Sequence, residues 1–164
     1  MRPFKHLPIM ALVALLSFSC STESIPDETI DTMALPVPPA AKTIEIEILE
    51  LINAHRINEG LTPLNNHNTI KAVAYTHTDY MVESNNVGHD NFFQRKNSLM
   101  QNASATSVSE NVAYAYSSAE SVVNAWINSD GHRDNIEGDF TDFDISAEQN
   151  DEGKWYFTNI FIKR

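Results

Sequence analysis

Apolar positions recur at helical spacing from residue 43 onward, which predicts that the folded part of the chain begins there. The first apolar stripe consists of Ile44, Ile48, Leu51 and Ile52. Thr43 precedes this stripe as a candidate N-cap, but the residue three places on is Ile46, so no capping box is expected. Gly60 is expected to end the helix, and Pro63 prevents it from resuming.

A second helical pattern starts at Asn68 or Thr69 and runs to the asparagine pair 85–86. Its apolar stripe consists of Ile70, Val73, Ala74, His77 and Met81. Because a neutral imidazole packs in a core when it has one or two polar partners, we expect His77 to be a buried structural histidine. Residues 91–108 are polar and irregular, with one short helix expected near 98–102.

The last third of the chain changes to strand patterns. Residues 110–115 are predicted as a short strand, after which Ser117 and Glu120 form a capping box for a helix that Gly131 is expected to end. Alternating residues at 143–147 and β-forming residues at 155–162 flank a turn, which predicts a β-hairpin. Because helices come first and paired strands last, we expect an α+β domain with a small antiparallel sheet.

The N-terminus has the pattern of an export segment. A basic head is followed by a nearly continuous apolar run at 7–18, which is too short to span a bilayer. Residues 1–19 are therefore predicted as a signal peptide. The small Ser19 before Cys20 resembles the lipobox of bacterial lipoproteins, which makes Cys20 the expected lipidation site; the alternative is a plain secretory signal cut near Cys20. Residues 20–42 are rich in Ser, Thr, Pro and acidic side chains and are predicted as a disordered tether, with one domain at 43–164.

Charge and cysteine content exclude two classes of protein. The formal net charge is −11, and without Arg2 and Lys5 of the predicted signal it is −13, with no basic stripe. Such a surface repels phosphate backbones, so nucleic-acid binding is not expected. Cys20 is the single cysteine, which excludes an intramolecular disulfide. The domain must therefore be held together by core packing.

Two histidines and one glutamate are the candidates for chemistry. His89 and His132 each follow a glycine and lie between predicted elements, where loops place functional side chains. Glu110 and Asn111 stand at the start of an otherwise apolar strand. Two imidazoles and a carboxylate suit a divalent ion with open positions for water, and the same trio suits a metal-free acid–base pair. A third alternative is structural: Glu110 accepts backbone N–H bonds and the histidines orient it.

Seven short motifs occur in order between residue 53 and the C-terminus. They are Asn53-x-x-Arg56, Gly60-Leu61-x-Pro63-Leu64, Gly88-His89, Ser109-Glu110-Asn111-Val112-Ala113, Trp126-x-x-Ser129-x-x-His132-Arg133-x-Asn135-Ile136, Phe140-Thr141 and Thr158-Asn159-x-Phe161. Together they resemble the bacterial branch of the CAP superfamily, the SCP-like extracellular domains related to cysteine-rich secretory and plant pathogenesis-related proteins. The likeness runs from about residue 44 to the C-terminus.

This resemblance implies a CAP-type α-β-α sandwich with a small antiparallel sheet and a surface cleft. In the family, two histidines and two acidic residues line the cleft, and the histidines can hold a divalent metal such as zinc. Carried over by motif, the metal ligands are His89 and His132, and Glu110 is one of the acids. Asn111 belongs to the motif of Glu110 and is expected to fix that strand.

The chain departs from the family pattern at several positions. The second acid of the family would follow Trp126 by three residues, and this chain has Ser129 there. Ser129 therefore takes the fourth place in the expected cleft. Asp144 and Ser146 replace two glycines that are common in the first strand of the hairpin, so the close packing of backbone there is expected to differ.

Three functions follow from these expectations. The one we favour is a non-catalytic binding module that is exported and anchored to a membrane by lipid. Its cleft is expected to hold a divalent metal, of which zinc is the first candidate, or a small, lipidic or protein ligand. The second is a metal-dependent hydrolase that uses Glu110 as its base. The third is a structural envelope protein with a vestigial cleft. The cleft residues in all three are His89, Glu110, Asn111, Ser129 and His132.

Overall fold

The structure, a computed structural model, describes residues 35–164. The predicted signal peptide, Cys20 and most of the predicted tether lie outside this range. The helices of the described range are α1 (Thr43–Asn58), α2 (Asn68–Ser84), α3 (Phe92–Asn102), α4 (Ala119–Ile127) and α5 (Asp130–Glu137). Its strands are β1 (Asn65–Asn66), β2 (Ser107–Tyr114), β3 (Asp142–Gln149) and β4 (Trp155–Lys163). None of these helices has the length and apolar character that crossing a bilayer requires.

Helices α1 and α2 lie where the apolar stripes predict them. The N-cap of α1 is Lys42 rather than Thr43, and its backbone N–H donates to Glu45 Oε2 at 2.7 Å. The predicted N-cap, Thr43, was therefore wrong by one position, and the Lys42 side chain makes no capping hydrogen bond of its own. Helix α2 ends at the left-handed Asn85 (φ 48°), a conformation that asparagine tolerates better than most residues.

Two further helices differ from the sequence prediction. Helix α3 is twice as long as the short turn expected near 98–102. The predicted capping box of Ser117 and Glu120 was wrong, because Ser118 is the N-cap of α4 and accepts from the backbone N–H of Ser121 at 3.2 Å. Gly131 does not end α4; it lies in the first turn of α5, an element that the sequence analysis missed.

The sheet is mixed, with the order β1-β3-β4-β2. Strands β2 and β3 both pair antiparallel with β4, as the predicted hairpin requires, whereas the short β1 adds a parallel bridge to β3. The expected small antiparallel sheet is therefore present, and β1 adds two residues in parallel pairing to it. Strand β2 forms one edge of the sheet. The other edge consists of β1 and of β3 residues 144–149, which have no strand of the described range beside them on that side.

Each face of the sheet carries its own core, which confirms the α-β-α sandwich. Helices α1, α4 and α5 cover one face around a cluster that includes Ile48, Ile52, Trp126, Phe143, Phe157 and Phe161. Helices α2 and α3 cover the other face around Ile70, Val73, Leu99, Ile160 and Ile162. Because successive residues of a strand point to opposite faces, Glu110 and Asn111 on the edge strand β2 project to different layers.

The described residues before α1 contact the domain. Leu35 packs against the core cluster of α2 and α3. At the other end of this segment, Lys42 Nζ lies 2.6 Å from Glu148 Oε1 of β3. We call residues 35–42 the N-terminal strap. The prediction of a disordered tether remains a prediction for the residues before the strap.

Candidate metal-binding cleft

Glu110 is the buried centre of the cleft. Its side chain is only 1% exposed, and it projects from β2 toward α3. There Arg95 binds both carboxylate oxygens: Nε donates to Oε2 and Nη2 donates to Oε1, each at 2.7 Å. Such a two-bond pair is among the stronger charge-assisted interactions in proteins and compensates for the burial of the carboxylate.

His89 contacts the same carboxylate from the loop between α2 and α3. Its Nδ1 lies 2.9 Å from Glu110 Oε1, while its side chain is 52% exposed. Because a carboxylate that binds Arg95 can only accept here, the proton of a neutral His89 ring belongs on Nδ1. The Nε2 lone pair of His89 is then directed away from Glu110 and free for a ligand.

Two side chains fix the loop that carries His89. Arg95 Nη1 donates to the carbonyl oxygen of Asp90 at 2.6 Å. His77, which is 2% exposed, lies with Nε2 at 2.8 Å from the carbonyl oxygen of Gly88. The structure therefore bears out the expectation of a buried His77 with a polar partner, and it adds that the partner is the residue before His89.

His132 approaches from the other side of the sheet edge, at the start of α5. Its Nδ1 lies 2.8 Å from Ser129 Oγ, and Ser129 is the N-cap of α5. Burial lowers the pKa of His132, and the charge of His89 lowers it further. The two imidazoles are thus close enough for one to act on the charge of the other, although they come from opposite layers of the sandwich.

Asn111 joins the edge strand to α5. Its Nδ2 donates to the carbonyl oxygen of His132 at 3.0 Å, and its Oδ1 accepts from Asn135 Nδ2 at 2.8 Å. Asn135 Nδ2 also donates to the carbonyl oxygen of Glu110 at 3.3 Å. The adjacent residues Glu110 and Asn111 therefore hold the two sides of the cleft, one through His89 and one through the backbone of His132.

The profile of the cysteine-rich secretory protein (CAP) family matches residues 49–161, more than half of the chain. The chain belongs to this family. This confirms the resemblance that the seven motifs indicated, and the paired layers around the sheet are the fold it implied.

Two similar proteins come from Bacillus subtilis, and both are named as uncharacterized. An uncharacterized membrane protein, YlbC of Bacillus subtilis, is 31% identical over 126 residues, which cover 74% of this chain and 35% of that protein. The uncharacterized protein YkwD of Bacillus subtilis is 32% identical over 102 residues, which cover 60% of this chain and 40% of that protein. The chain thus spans well under half the length of either relative.

Solved structures show the same fold at lower identity. An outer surface protein from Borrelia burgdorferi has a TM-score of 0.67 at 22% identity, and the match covers 76% of this chain and 96% of that protein. An extracellular SCP-domain protein from Bacillus anthracis has a TM-score of 0.65 at 24% identity, and the match covers 73% of this chain and 40% of that protein. These likenesses establish the architecture of the CAP domain described above.

The donor atoms of this CAP domain suit a divalent ion held by two imidazoles. Both Nδ1 atoms have oxygen partners in the protein, and an imidazole oriented by such a bond is the usual metal ligand. Within residues 35–164, no group of three His, Cys, Asp or Glu side chains is placed to hold a metal ion. An ion bound to His89 and His132 would therefore complete its coordination with water or with an external ligand.

Sequence reasoning missed Arg95 and the role of Asn135. Arg95 lies on the inward side of α3, a helix whose pattern was too polar to identify. Asn135 belongs to the quoted motif around His132, but its contact to Asn111 depends on α5, which was not predicted. The sequence-predicted residues His89, Glu110, Asn111, Ser129 and His132 all lie around the edge strand β2.

Proposed function

We propose that this chain is a non-catalytic binding module of the cell envelope. Its CAP domain holds a divalent metal between His89 and His132, and zinc is the first candidate for this metal. The observation that carries this proposal is that each ring has an oxygen partner at Nδ1, at 2.9 Å for His89 and 2.8 Å for His132. Both Nε2 atoms remain for a shared ligand. Neutral imidazole nitrogen is a preferred donor for zinc and related ions.

The protein would position the ion through residues that do not touch it. Glu110 orients His89, while Ser129 orients His132 when its oxygen accepts from Nδ1–H. Asn111 fixes the backbone of His132. When bound, the ion supplies a Lewis acid that attracts a carboxylate, phosphate or similar oxygen of a ligand. With two protein donors, we expect an exchangeable ion that bridges the domain to its ligand.

Glu110 is poorly suited to act as the base of a hydrolase. Both of its oxygens bind Arg95, one of them also faces His89, and the side chain is 1% exposed. A general base needs a free lone pair within reach of the proton that it removes. This arrangement favours binding over the alternative of metal-dependent hydrolysis. The alternative of a structural envelope protein with a vestigial cleft predicts that no zinc binds.

The zinc experiment uses the full chain carrying Cys20→Ser. Zinc is added, and its binding is measured by calorimetry and by the shift in the thermal unfolding temperature. We expect one zinc to bind, and His89→Ala and His132→Ala each to abolish the binding. When the free zinc concentration is one hundred times the dissociation constant, binding should raise the free energy of unfolding by about 2.7 kcal/mol. His55→Ala is the matched control, because His55 pairs with Glu137 at 2.9 Å and lies outside the cleft.

Two results would contradict this proposal. Zinc binding that is absent from the parent chain, or unchanged in both cleft variants, would favour the structural envelope protein. Turnover of an ester or peptide panel that is lost in Glu110→Gln would favour the hydrolase.

We also propose export and lipid anchoring through Cys20. The support is the N-terminal sequence together with the names of similar proteins, which include a membrane protein, an extracellular protein and an outer surface protein. Cys20→Ser is expected to release the protein from the membrane fraction, because lipid chains contribute about 0.8 kcal/mol per buried methylene. Continued fractionation of this variant with membranes would contradict lipidation.

A further inference from the structure

A second candidate site lies at the opposite edge of the sheet from the histidine cleft. It is a cavity of about 880 Å³ bounded by α1, the beginning of α2, the open edge of β3 and residues 37–41 of the N-terminal strap. Small-molecule sites typically have volumes of roughly 300–1,000 Å³. None of the residues of the histidine cleft lines this cavity.

The walls of the cavity are mainly apolar. Helix α1 contributes a stripe that includes Ile46, Leu49 and Ile57, and strap residues 37–41 (sequence VPPAA) face it. Ile46 is 46% exposed and Ile57 is 58% exposed. Two large aliphatic side chains exposed on one face of a helix, opposite a second apolar wall, form a surface that suits a hydrocarbon chain.

The charged side chains that line the cavity are mainly acidic. Among its lining residues Glu45, Glu50 and Asp144 are acidic, and Lys71 is the one base. Lys71 is already engaged, because its Nζ lies 2.6 Å from Glu45 Oε2 and donates to the carbonyl oxygen of Ile145 at 2.8 Å. The lining therefore carries an excess of negative charge that its own lysine does not neutralise.

Asp144 is one of two buried carboxylates in this lining, and Glu45 is the other. Asp144 is 6% exposed, and among the residues that the structure describes its oxygens accept from the backbone N–H groups of Ile145, at 2.9 Å, and His67, at 3.2 Å. No cationic side chain among residues 35–164 forms an ion pair with it. Burial raises the pKa of Asp144 to about 6, although the charge of Lys71 acts in the opposite direction, so at neutral pH Asp144 is mainly ionised. The ion pair of Lys71 is with Glu45, so Asp144 shares this one cation with a second carboxylate. Strongly perturbed carboxyl groups in a cavity are frequent at binding sites.

We propose that this cavity binds a single-chain cationic amphiphile, with its ammonium head at Asp144 and its hydrocarbon chain between α1 and the N-terminal strap. The head would supply a second positive charge where Asp144 and Glu45 share Lys71. The exposed side chains of Asn66 and Asn68 also line the cavity and offer amide oxygens to the ammonium protons. An anionic head would face the three carboxylates and is disfavoured there.

The test compares three amphiphiles that differ only in their heads: dodecylammonium, dodecanol and dodecyl sulfate, each below its micelle concentration. The protein is the full chain carrying Cys20→Ser, and binding is measured by calorimetry. We expect dodecylammonium to bind at least about tenfold more tightly than the other two. Asp144→Asn should weaken dodecylammonium binding by about tenfold and leave dodecanol binding unchanged.

One matched pair of variants and one separate control locate the ligand. Ile57→Lys puts a positive charge in the cavity and should abolish dodecylammonium binding, whereas Met100→Lys places the same charge on α3 at a side chain of similar exposure and should not. His89→Ala should also leave this binding unchanged, which separates the cavity from the histidine cleft. Equal affinities for the three heads, no binding of dodecylammonium, or an unchanged affinity in Asp144→Asn would overturn the proposal.

Discussion

Arg95 of α3 and Glu110 of β2 form a buried two-bond ion pair, with both N···O distances at 2.7 Å and side-chain exposures of 7% and 1%. A third N–H group of the same guanidinium binds the backbone of Asp90. Arg95 therefore neutralises the carboxylate that contacts His89 and also holds the loop that carries His89. The cleft depends on a residue that does not itself line the proposed metal position.

Arg95→Met is expected to lower the free energy of unfolding by about 3–5 kcal/mol, because it leaves Glu110 buried and ionised without its partner. The measurement is urea unfolding at pH 7. Arg95→Lys should cost less, since the charge remains, but it cannot restore the two-bond geometry. The double variant Arg95→Met with Glu110→Gln should regain part of the loss. A double variant no more stable than Arg95→Met would contradict this account.

Ser129→Asp is expected to tighten zinc binding by about tenfold, because a carboxylate at this position would hold His132 with its proton on Nδ1. Ser129 is the N-cap of α5, so an acidic residue there also stabilises the helix. Ser129→Asn separates the two effects, since asparagine caps equally well but carries no charge. The zinc dissociation constant should therefore fall in the aspartate variant and not in the asparagine variant; equal constants in both would contradict the orienting role.

The elements with strong periodicity were predictable from sequence, and those defined by a few residues were not. Helix α1 and the β3–β4 hairpin follow from apolar spacing over many positions. Helix α5 has eight residues, and its only buried side chain is Ile136. Its beginning could have been recognised from Ser129 followed by Asp130, an N-cap with an acid in the first turn, but Gly131 was interpreted as the end of α4.

The candidate site was predictable in its residues but not in its connections. His89, Glu110 and His132 could be named from motifs, yet sequence spacing does not show that β2 is an edge strand that two layers approach from opposite sides. The inward position of Arg95 was hidden because a charged residue on a short polar helix is usually solvent-exposed. Only the buried Glu110 explains why an arginine occupies that place.

Asp144→Asn is expected to change how stability depends on pH. The pKa of Asp144 is about 6 in the folded chain and near 3.8 in the unfolded chain. Between these values the folded state binds the proton more tightly, so the contribution of Asp144 to stability is lost as pH rises from 4 through 6. The loss should amount to about 3 kcal/mol.

Urea unfolding of both proteins at pH 4 to 7.5 measures this contribution. The asparagine variant should gain stability relative to the parent as pH rises, and the difference should level off above pH 6. The lowered pKa values of His77 and His132 act in the opposite direction, adding stability as pH rises toward 6.5, but they are present in both proteins and cancel in the difference. A difference that does not vary with pH would contradict the raised pKa of Asp144.

His77→Leu is expected to weaken zinc binding by about tenfold although His77 lies outside the proposed coordination. Because a carbonyl oxygen only accepts, the 2.8 Å contact to Gly88 requires a proton on His77 Nε2, and this bond fixes the residue before His89. Burial and the charge of Arg95 lower the pKa of His77, so the ring stays neutral at pH 7. His77→Gln retains an N–H donor and should restore part of the affinity.

Thr78→Val is the matched control, because it removes buried hydrogen bonds of the same helix to Ala74 and Thr158 without touching the loop. If Thr78→Val weakens zinc binding as much as His77→Leu, the effect is general destabilisation of α2 rather than the placement of His89.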